Sequence, residues 1–290
     1  MSALANPGAS AQAIQFHYDI GNSFYNLWLD RSLTYSCALW DGHDTLEAAQ
    51  MAKIDYHIEK SGARGQQRVL DIGCGWGATL NHLVRTAGVA QATGLTLATQ
   101  QAAHIAQQEW PGVDVRVESW SDHSPTMPYD AIISVGAFEH FAKLDQSPEE
   151  KIEGYRGFFR RCHEWLPPGG CLSLQTMSYE NSSREDFSPF FASQIFPESD
   201  LPRLSEIAGA SEHLFEIVSL RNDRHHYART SLEWRRRLLQ RRAEAVALVG
   251  EEAVARYDKY LHLWAIGFHT GTMGLLRLQL RKLETPRRLH

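Results

Sequence analysis

Seven consecutive residues, Asp71-Ile72-Gly73-Cys74-Gly75-Trp76-Gly77, carry the clearest chemistry in this chain. An apolar run, Val69 to Ile72, feeds a turn in which alternate residues are glycine. Gly73 and Gly75 have no Cβ, so the backbone can take positive φ and let a ligand come close. A helix starting near Trp76 then offers unpaired N–H groups. An open α/β sheet builds a nucleotide-like site this way, at the carboxyl end of its first strand. The spacing is G-x-G-x-G rather than the G-x-G-x-x-G of dinucleotide binders. That spacing, with Thr96 where a ribose-binding acid is expected, argues against a dinucleotide-dependent oxidoreductase.

These residues need a scaffold, and the pattern around them supplies one. Apolar runs at Arg68–Ile72, 92–96, 113–117, 129–135 and 171–176 alternate with helical stretches over 76–86, 98–109 and 148–166. Pro167-Pro168-Gly169-Gly170 is a hard stop before the fifth strand. Strand–helix alternation of this kind predicts an α/β fold with a doubly wound parallel sheet. Strands over 212–220 and 270–282 complete seven. Before the sheet, 16–30 is dense in aromatics, with Phe24, Leu27 and Trp28 at helical spacing. That stripe packs on the core or forms a lid. Residues 45–60 form a helix capped by Asp44 or Thr45. After the fifth strand, 178–200 breaks the rhythm and reads as a cap segment. Asp223 to Tyr227 reads as a polar loop, 231–248 as a helix with a basic face, and 251–264 as another helix. The expected organisation is a single domain, with a helical lid (1–63), a ligand-binding core (64–177), an inserted cap (178–210) and a C-terminal completion of the sheet (211–290).

Bulk properties exclude several classes. A net charge of −5 gives no reason to expect nucleic acid. No apolar run approaches a membrane span, and the N-terminus shows no signal-peptide pattern. A cytoplasmic location is therefore expected. The four cysteines show neither C-x-x-C pairing nor zinc-like spacing, so free thiols and no metal site are expected.

Several motifs agree in order: His17-Tyr18-Asp19-Ile20-Gly21-Asn22, Leu33-Thr34-Tyr35-Ser36-Cys37, the 70–77 turn, Gly94-Leu95-Thr96-Leu97 and Gly136-Ala137-Phe138-Glu139-His140-Phe141. With Ile195-Phe196-Pro197 and His226-Tyr227-Ala228, this set resembles the cyclopropane fatty acid and mycolic acid cyclopropane synthases. These are S-adenosylmethionine (SAM) dependent methyltransferases with a Rossmann-like fold. The resemblance implies a mixed seven-stranded sheet and SAM as cofactor. It places Asp71, Gly73, Cys74, Gly75 and Gly77 at the methionine portion, with Tyr35 and Ser36 over the carboxylate. Thr96, Leu97 and Gln101 stand at the ribose, Trp120 and Ser121 at the adenine, and Val135 beside the reacting end.

Members of that family methylate an alkene carbon through a carbocation, and cyclopropane formation then needs a base. The resemblance implies a bound bicarbonate, held by a Cys main chain, a Glu, a His and a Tyr. Cys37, Glu139 and Tyr227 match three of these. Gln175 stands where the family has His. An amide can donate and accept hydrogen bonds but cannot pass a proton. Either Gln175 replaces the His contact and bicarbonate is kept, which the three matches favour, or Glu139 or Tyr227 acts alone as base. Phe16, Tyr18, Phe24, Trp28, Phe138 and Phe141 are candidates for stabilising a cation with their ring faces, or are core.

The cap between Thr176 and Ile195 is short and polar for the family, and no extra N-terminal domain of the phospholipid-modifying kind is read. A small unsaturated or lipid-like metabolite is the expected acceptor. Plant alkaloid N-methyltransferases also resemble the family, so an amine acceptor is the alternative. The basic stretch Arg235–Arg242 is a solvated face or a docking surface.

Overall fold

The structure is a computed structural model that describes residues 8–284, except 11, 14, 16–19, 188–189, 192–194 and 196–197. Among the sequence candidates, His17, Asp19, Phe16, Tyr18, Phe196 and Pro197 lie outside the described residues. In chain order the elements are α1 (Asn22–Tyr25), α2 (Leu46–Ser61), β1 (Arg68–Ile72), α3 (Ala78–Arg85), β2 (Gln91–Thr96), α4 (Thr99–Gln107), β3 (Val113–Val117), β4 (Ala131–Val135), a 3-10 turn (Phe138–His140), α5 (Pro148–Trp165), β5 (Cys171–Tyr179), α6 (Leu204–Ser211), β6 (Phe215–Asn222), α7 (Arg224–Gln240), α8 (Arg242–Val249), α9 (Glu251–Thr270) and β7 (Met273–Lys282). The sheet has seven strands in the order β3-β2-β1-β4-β5-β7-β6. β1 to β5 are parallel, and β7 runs antiparallel between β5 and β6. This is the mixed seven-stranded α/β sheet that the alternation and the resemblance predict.

Local chemistry sets the helix ends that matter here. Thr45 caps α2, accepting a hydrogen bond from the Ala48 N–H, and Gly62 closes it with φ 71°. α2 then lays an unusual stripe on the sheet: Leu46, Ala49, Ile54 and Ile58 are buried, and so are Gln50, Lys53 and His57. α5 opens on a capping box, Ser147 with Glu150, and has Pro148 at its first position. It packs Tyr155, Phe158 and Phe159 against Phe138 and the sheet.

Several expectations shift. The stripe Phe24–Leu27–Trp28 is not a long helix; α1 is one turn, and the rings are buried against α7 and α9. α3 starts at Ala78, because Gly77 takes a left-handed conformation at its N-cap. The segment Asp223–Tyr227 is a helix start rather than a loop. Its main chain turns at Asp223, whose carbonyl accepts from the His226 and Tyr227 N–H groups, and the helix runs from Arg224. The helix expected over 231–248 breaks at Arg241. The break lets α8 bury Ala245 in the same apolar cluster as Trp28 and Trp234.

Candidate active site

A cavity opens at the carboxyl ends of β1, β2 and β4, where the strand order reverses. Its wall carries Tyr35, Ser36, Asp71, Gly73, Cys74, Gly75, Thr96, Leu97, Gln101, Trp120 and Val135, which gathers eleven of the thirteen residues expected to hold the cofactor. The two others stand behind it. Gly77 (φ 85°) serves the backbone turn, since a Cβ there would lie 2.8 Å from Ile105 and 3.0 Å from Trp110. Ser121 points its hydroxyl at Ser119 Oγ, 2.9 Å away, and Ser119 is the serine on the wall. The glycines of the turn differ in purpose. Gly73 (φ 82°) leaves room for Ala137, whose Cβ would be 2.4 Å from an added one. Gly75 (φ 54°) faces open space.

Beside Ser36 and Asp71 the cavity offers a buried cation that sequence reasoning missed. Lys53 is 2% exposed and lines the wall. Its Nζ donates to Ser36 Oγ at 2.8 Å. Burial pulls its pKa down to about 8, against the upward pull of Asp30. Asp71 is pushed up to about 7 by burial, partly offset by the Lys53 charge. Gln50 secures the loop above, donating to the Thr34 and Ser36 carbonyls at 3.1 and 2.9 Å. Lys53 is thus the cation available to an amino-acid carboxylate. Because burial depresses its pKa, its charge is complete below about 8 and is lost above. Cofactor affinity should therefore fall as pH rises through 8. Lys53→Met should weaken binding by roughly ten- to a hundredfold at pH 7 and flatten that pH dependence, as checked by calorimetry.

At the end of β2 Thr96 Oγ1 donates to Gln101 Oε1 at 2.8 Å and accepts from the Ala98 N–H at 3.1 Å. Thr96 therefore shapes the start of α4 and holds Gln101, whose amide N–H₂ group is the donor left for a sugar hydroxyl. Trp120 packs edge-on against Phe158, ring centroids 5.6 Å apart, while it walls the cavity. The N-terminal segment covers this end: Ala9 lines the cavity and donates to the His140 carbonyl at 2.8 Å, and Gln15 donates to the Leu97 carbonyl at 3.1 Å.

A second, smaller cavity of about 30 Å³ adjoins the first; Tyr35, Ser36, Gly136 and His140 line both. Glu139, Gln175 and Tyr227 meet in it. The 3-10 turn after β4 aims Glu139 inward, where Oε1 accepts from the Met177 N–H at 2.6 Å. Glu139 Oε2 is buried and makes no hydrogen bond of ordinary geometry among the described residues, although the Thr176 hydroxyl is near enough to favour the charged form. Burial raises the Glu139 pKa to about 7. Burial also raises that of Tyr227 well above the usual tyrosine value, so its phenol keeps its proton. Tyr227 stacks on Phe268, centroids 4.5 Å apart.

Cys37 does not join this cavity. It sits beside the cluster with its carbonyl accepting from Arg277 at 3.1 Å, and burial pushes its thiol up to about 12. Three of the four described aromatic candidates are core: Phe138 stacks on Tyr155 at 4.4 Å, and Phe24 and Trp28 pack on each other and on Tyr257. Phe141 lines the larger cavity, and the rings on the smaller one are Tyr35, Tyr227 and Tyr260. No cluster of His, Cys, Asp or Glu suited to a metal ion occurs among the described residues. Nor is any helix among them long and apolar enough to cross a membrane. The basic face is neutralised in place: Arg235 pairs with Asp258, Arg236 with Glu233, Arg237 with Glu47, Arg241 with Glu244 and Arg242 with Glu251.

Comparison with known proteins agrees with this geometry. The family model described as mycolic acid cyclopropane synthetase matches residues 6–278. Cyclopropane mycolic acid synthase 2 of Mycobacterium leprae (strain TN) is 35% identical, covering 92% of this chain and 89% of its own. Cyclopropane mycolic acid synthase MmaA2 of Mycobacterium tuberculosis (strain ATCC 25618 / H37Rv) is also 35% identical, covering 93% and 96%. Among solved structures, MmaA2 from Mycobacterium tuberculosis superposes with a TM-score of 0.85 at 32% identity, over 96% of this chain and 100% of that one. CmaA1 complexed with SAH and CTAB superposes with the same score and identity, over 95% and 99%. The chain belongs to the mycolic acid cyclopropane synthetase family and is a SAM-dependent methyltransferase of the cyclopropane synthase type.

Proposed function

We propose that this enzyme transfers the SAM methyl group to an alkene carbon of an unsaturated, lipid-like chain, and that the proton is lost at Glu139. The observation that carries this reading is the buried Glu139 carboxylate, whose Oε2 makes no hydrogen bond of ordinary geometry among the described residues, in a cavity that adjoins the larger one. Such an atom is costly unless it serves a charge or a proton. Methyl transfer to an alkene puts a positive charge on carbon. A carboxylate in a low-dielectric pocket stabilises that charge strongly. With a pKa near 7, Glu139 is also poised to accept a proton. Tyr227, held as a neutral phenol, serves as donor rather than base.

The small cavity also suits the anion that the family resemblance implies. A space of about 30 Å³ admits a group little larger than water. Tyr227 and Gln175 supply donors, and Glu139 Oε2 supplies an acceptor for an acidic hydrogen. Bound there, bicarbonate would take the proton lost on ring closure and hand its own acidic hydrogen to Glu139, so the proton still ends on that carboxylate. Cys37 contributes no cavity wall, so Glu139, Gln175 and Tyr227 would hold it.

The acceptor class follows from the walls and the relatives. The relatives' names specify mycolic acid, and one neighbour, CmaA1, was crystallised in complex with SAH and CTAB. Behind Tyr260 and Leu275 lie Trp264 and the cap residues Phe190 and Phe191, with Phe191 and Trp264 centroids 5.1 Å apart. Coclaurine N-methyltransferase shares the fold at 20% identity with a TM-score of 0.78, which speaks to architecture alone.

The test uses SAM labelled in its methyl group, with unsaturated acyl chains offered free, as thioesters and in phospholipid vesicles, and with amines in parallel. Label should enter an acyl chain, with a net gain of one CH₂. Label in amines alone would overturn the reading.

A further inference from the structure

Beneath the Glu139 cavity lies a buried guanidinium that the expected site does not contain. Arg277 is 0% exposed in the middle of β7. The antiparallel register sets it directly opposite Gln175 of β5. On that sheet face Met273, Leu275 and Arg277 alternate with Gly274, Leu276 and Leu278, which turn to the other layer. Arg277 Nε donates to Gln175 Oε1 at 2.8 Å. Its other nitrogens reach Asp223, the Cys37 carbonyl at 3.1 Å and the Ala38 carbonyl at 3.2 Å. From α2, His57 Nε2 lies 3.3 Å from the same Gln175 oxygen, and His57 Nδ1 lies 2.8 Å from Ser173 Oγ.

These contacts fix two hydrogen assignments. A guanidinium only donates, so the atom facing Arg277 must be the amide oxygen of Gln175. Burial, with the nearby Arg277 and Lys53 charges, holds the His57 pKa well below the usual histidine value, so the ring carries one N–H. That N–H is on Nε2, because its neighbour is an acceptor, and Ser173 then donates to Nδ1. The Gln175 oxygen is therefore taken twice. Its N–H₂ group is what remains for the cavity that Gln175 lines with Glu139 and Tyr227.

We propose that Arg277 is a positioning residue: together with His57 it locks the Gln175 side chain so that its amide N–H donates into the Glu139 cavity, to a small anion held there. A free glutamine can present either end. Anchored this way it is a one-way donor, and it does the hydrogen-bonding part of a histidine's work without a titrating group. Asp223, at the start of the helix that carries Tyr227, holds the guanidinium from its far side. The inference rests on the alkene-methylation reading only in naming the anion's use; donor and anion are tested without an acceptor.

The decisive substitution is Gln175→Glu. A carboxylate accepts from Arg277 and His57 as the amide oxygen does, and turns a second acceptor, not a donor, into the cavity. The measurement is binding of ¹³C-labelled bicarbonate to the SAH-saturated protein by NMR, with melting temperature and SAH affinity alongside. Wild type should bind. Gln175→Glu should melt no lower, keep SAH affinity, and bind bicarbonate at least about tenfold more weakly, the scale of one hydrogen bond to a charged group. The double variant Arg277→Met with Asp223→Asn avoids stranding a buried charge. It should lose anion affinity comparably, since Gln175 is then free to turn. No bicarbonate binding by wild type, or unchanged binding in a stably folded Gln175→Glu protein, would overturn the proposal. Label reaching only amines in the acceptor assay, with these results intact, would sink the alkene reading and leave the anchored donor standing.

Discussion

Glu139→Ala should lower turnover by about a thousandfold while leaving SAM affinity within a few-fold of wild type. The size is that of a removed general base with part of its electrostatic support. The separation follows from placement: Glu139 lines the small cavity and is absent from the cofactor wall. Glu139→Gln sharpens the test, because the amide keeps the shape and loses the charge. Burial raises the wild-type pKa to about 7, so the carboxylate fraction, and with it kcat/KM, should climb as pH rises through 7. The Gln variant should show no such climb from this group. Stability runs the opposite way. The folded carboxyl holds its proton more tightly than the unfolded one, so the folded state binds more protons between the ordinary carboxyl range and about 7. Stability is thus lost as pH rises across that window, on the order of 3 kcal/mol at most. Chemical denaturation of the unliganded protein at a series of pH values should show the Gln variant losing less than wild type. Retained turnover in Glu139→Ala would remove Glu139 from the chemistry, and identical pH curves would remove the buried charge.

The parts of this site that were legible are those in which backbone geometry dictates residue type. The glycine turn, the strand that feeds it and the capping signals at Thr45 and Ser147 all follow from local rules. Gln50, Lys53 and His57 were legible in principle, since they fall at 3.6-residue spacing with Ala49, Ile54 and Ile58. Polar residues on the buried stripe of a helix must have partners, and here those partners are the Ser36 loop and β5. Arg277 was not legible. Its segment, Leu276-Arg277-Leu278-Gln279-Leu280-Arg281, alternates like a strand with one wet face, and only the apolar clusters packed on opposite sides of the sheet, one at Met273 and Leu275 and one at Leu276, Leu278 and Leu280, bury both faces. Long-range register, which no local pattern records, set Arg277 opposite Gln175. The same holds for Asp223–Tyr227. Its polar text lacks helical periodicity because its side chains answer to partners far along the chain, as when His226 Nδ1 accepts from the Trp40 N–H at 2.9 Å. Cys37 shows the converse: a motif position can match while its carbonyl is already taken by a residue 240 positions away.

Gly75→Asp should abolish SAM binding, at least a hundredfold by calorimetry, in a protein that still folds. The three glycines of the turn make this the informative one. An Ala at position 73 would drive its Cβ to 2.4 Å from Ala137, and one at 77 would meet Ile105 and Trp110, so loss of binding there would be indistinguishable from a damaged fold. A Cβ at Gly75 meets none of the described residues within 4 Å, and its φ of 54° lies in the left-handed region that Asp tolerates better than most residues, at a cost of roughly 1 kcal/mol. The added carboxylate occupies the cavity wall beside Cys74 and Trp76, where the methionine portion should lie. It also adds negative charge next to Asp71 on the same wall. Gly75→Ala, with the backbone cost but neither the bulk nor the charge, should lose only about tenfold. A Gly75→Asp protein with a melting temperature near wild type and undiminished SAM affinity would show that the turn shapes the fold and does not hold the cofactor.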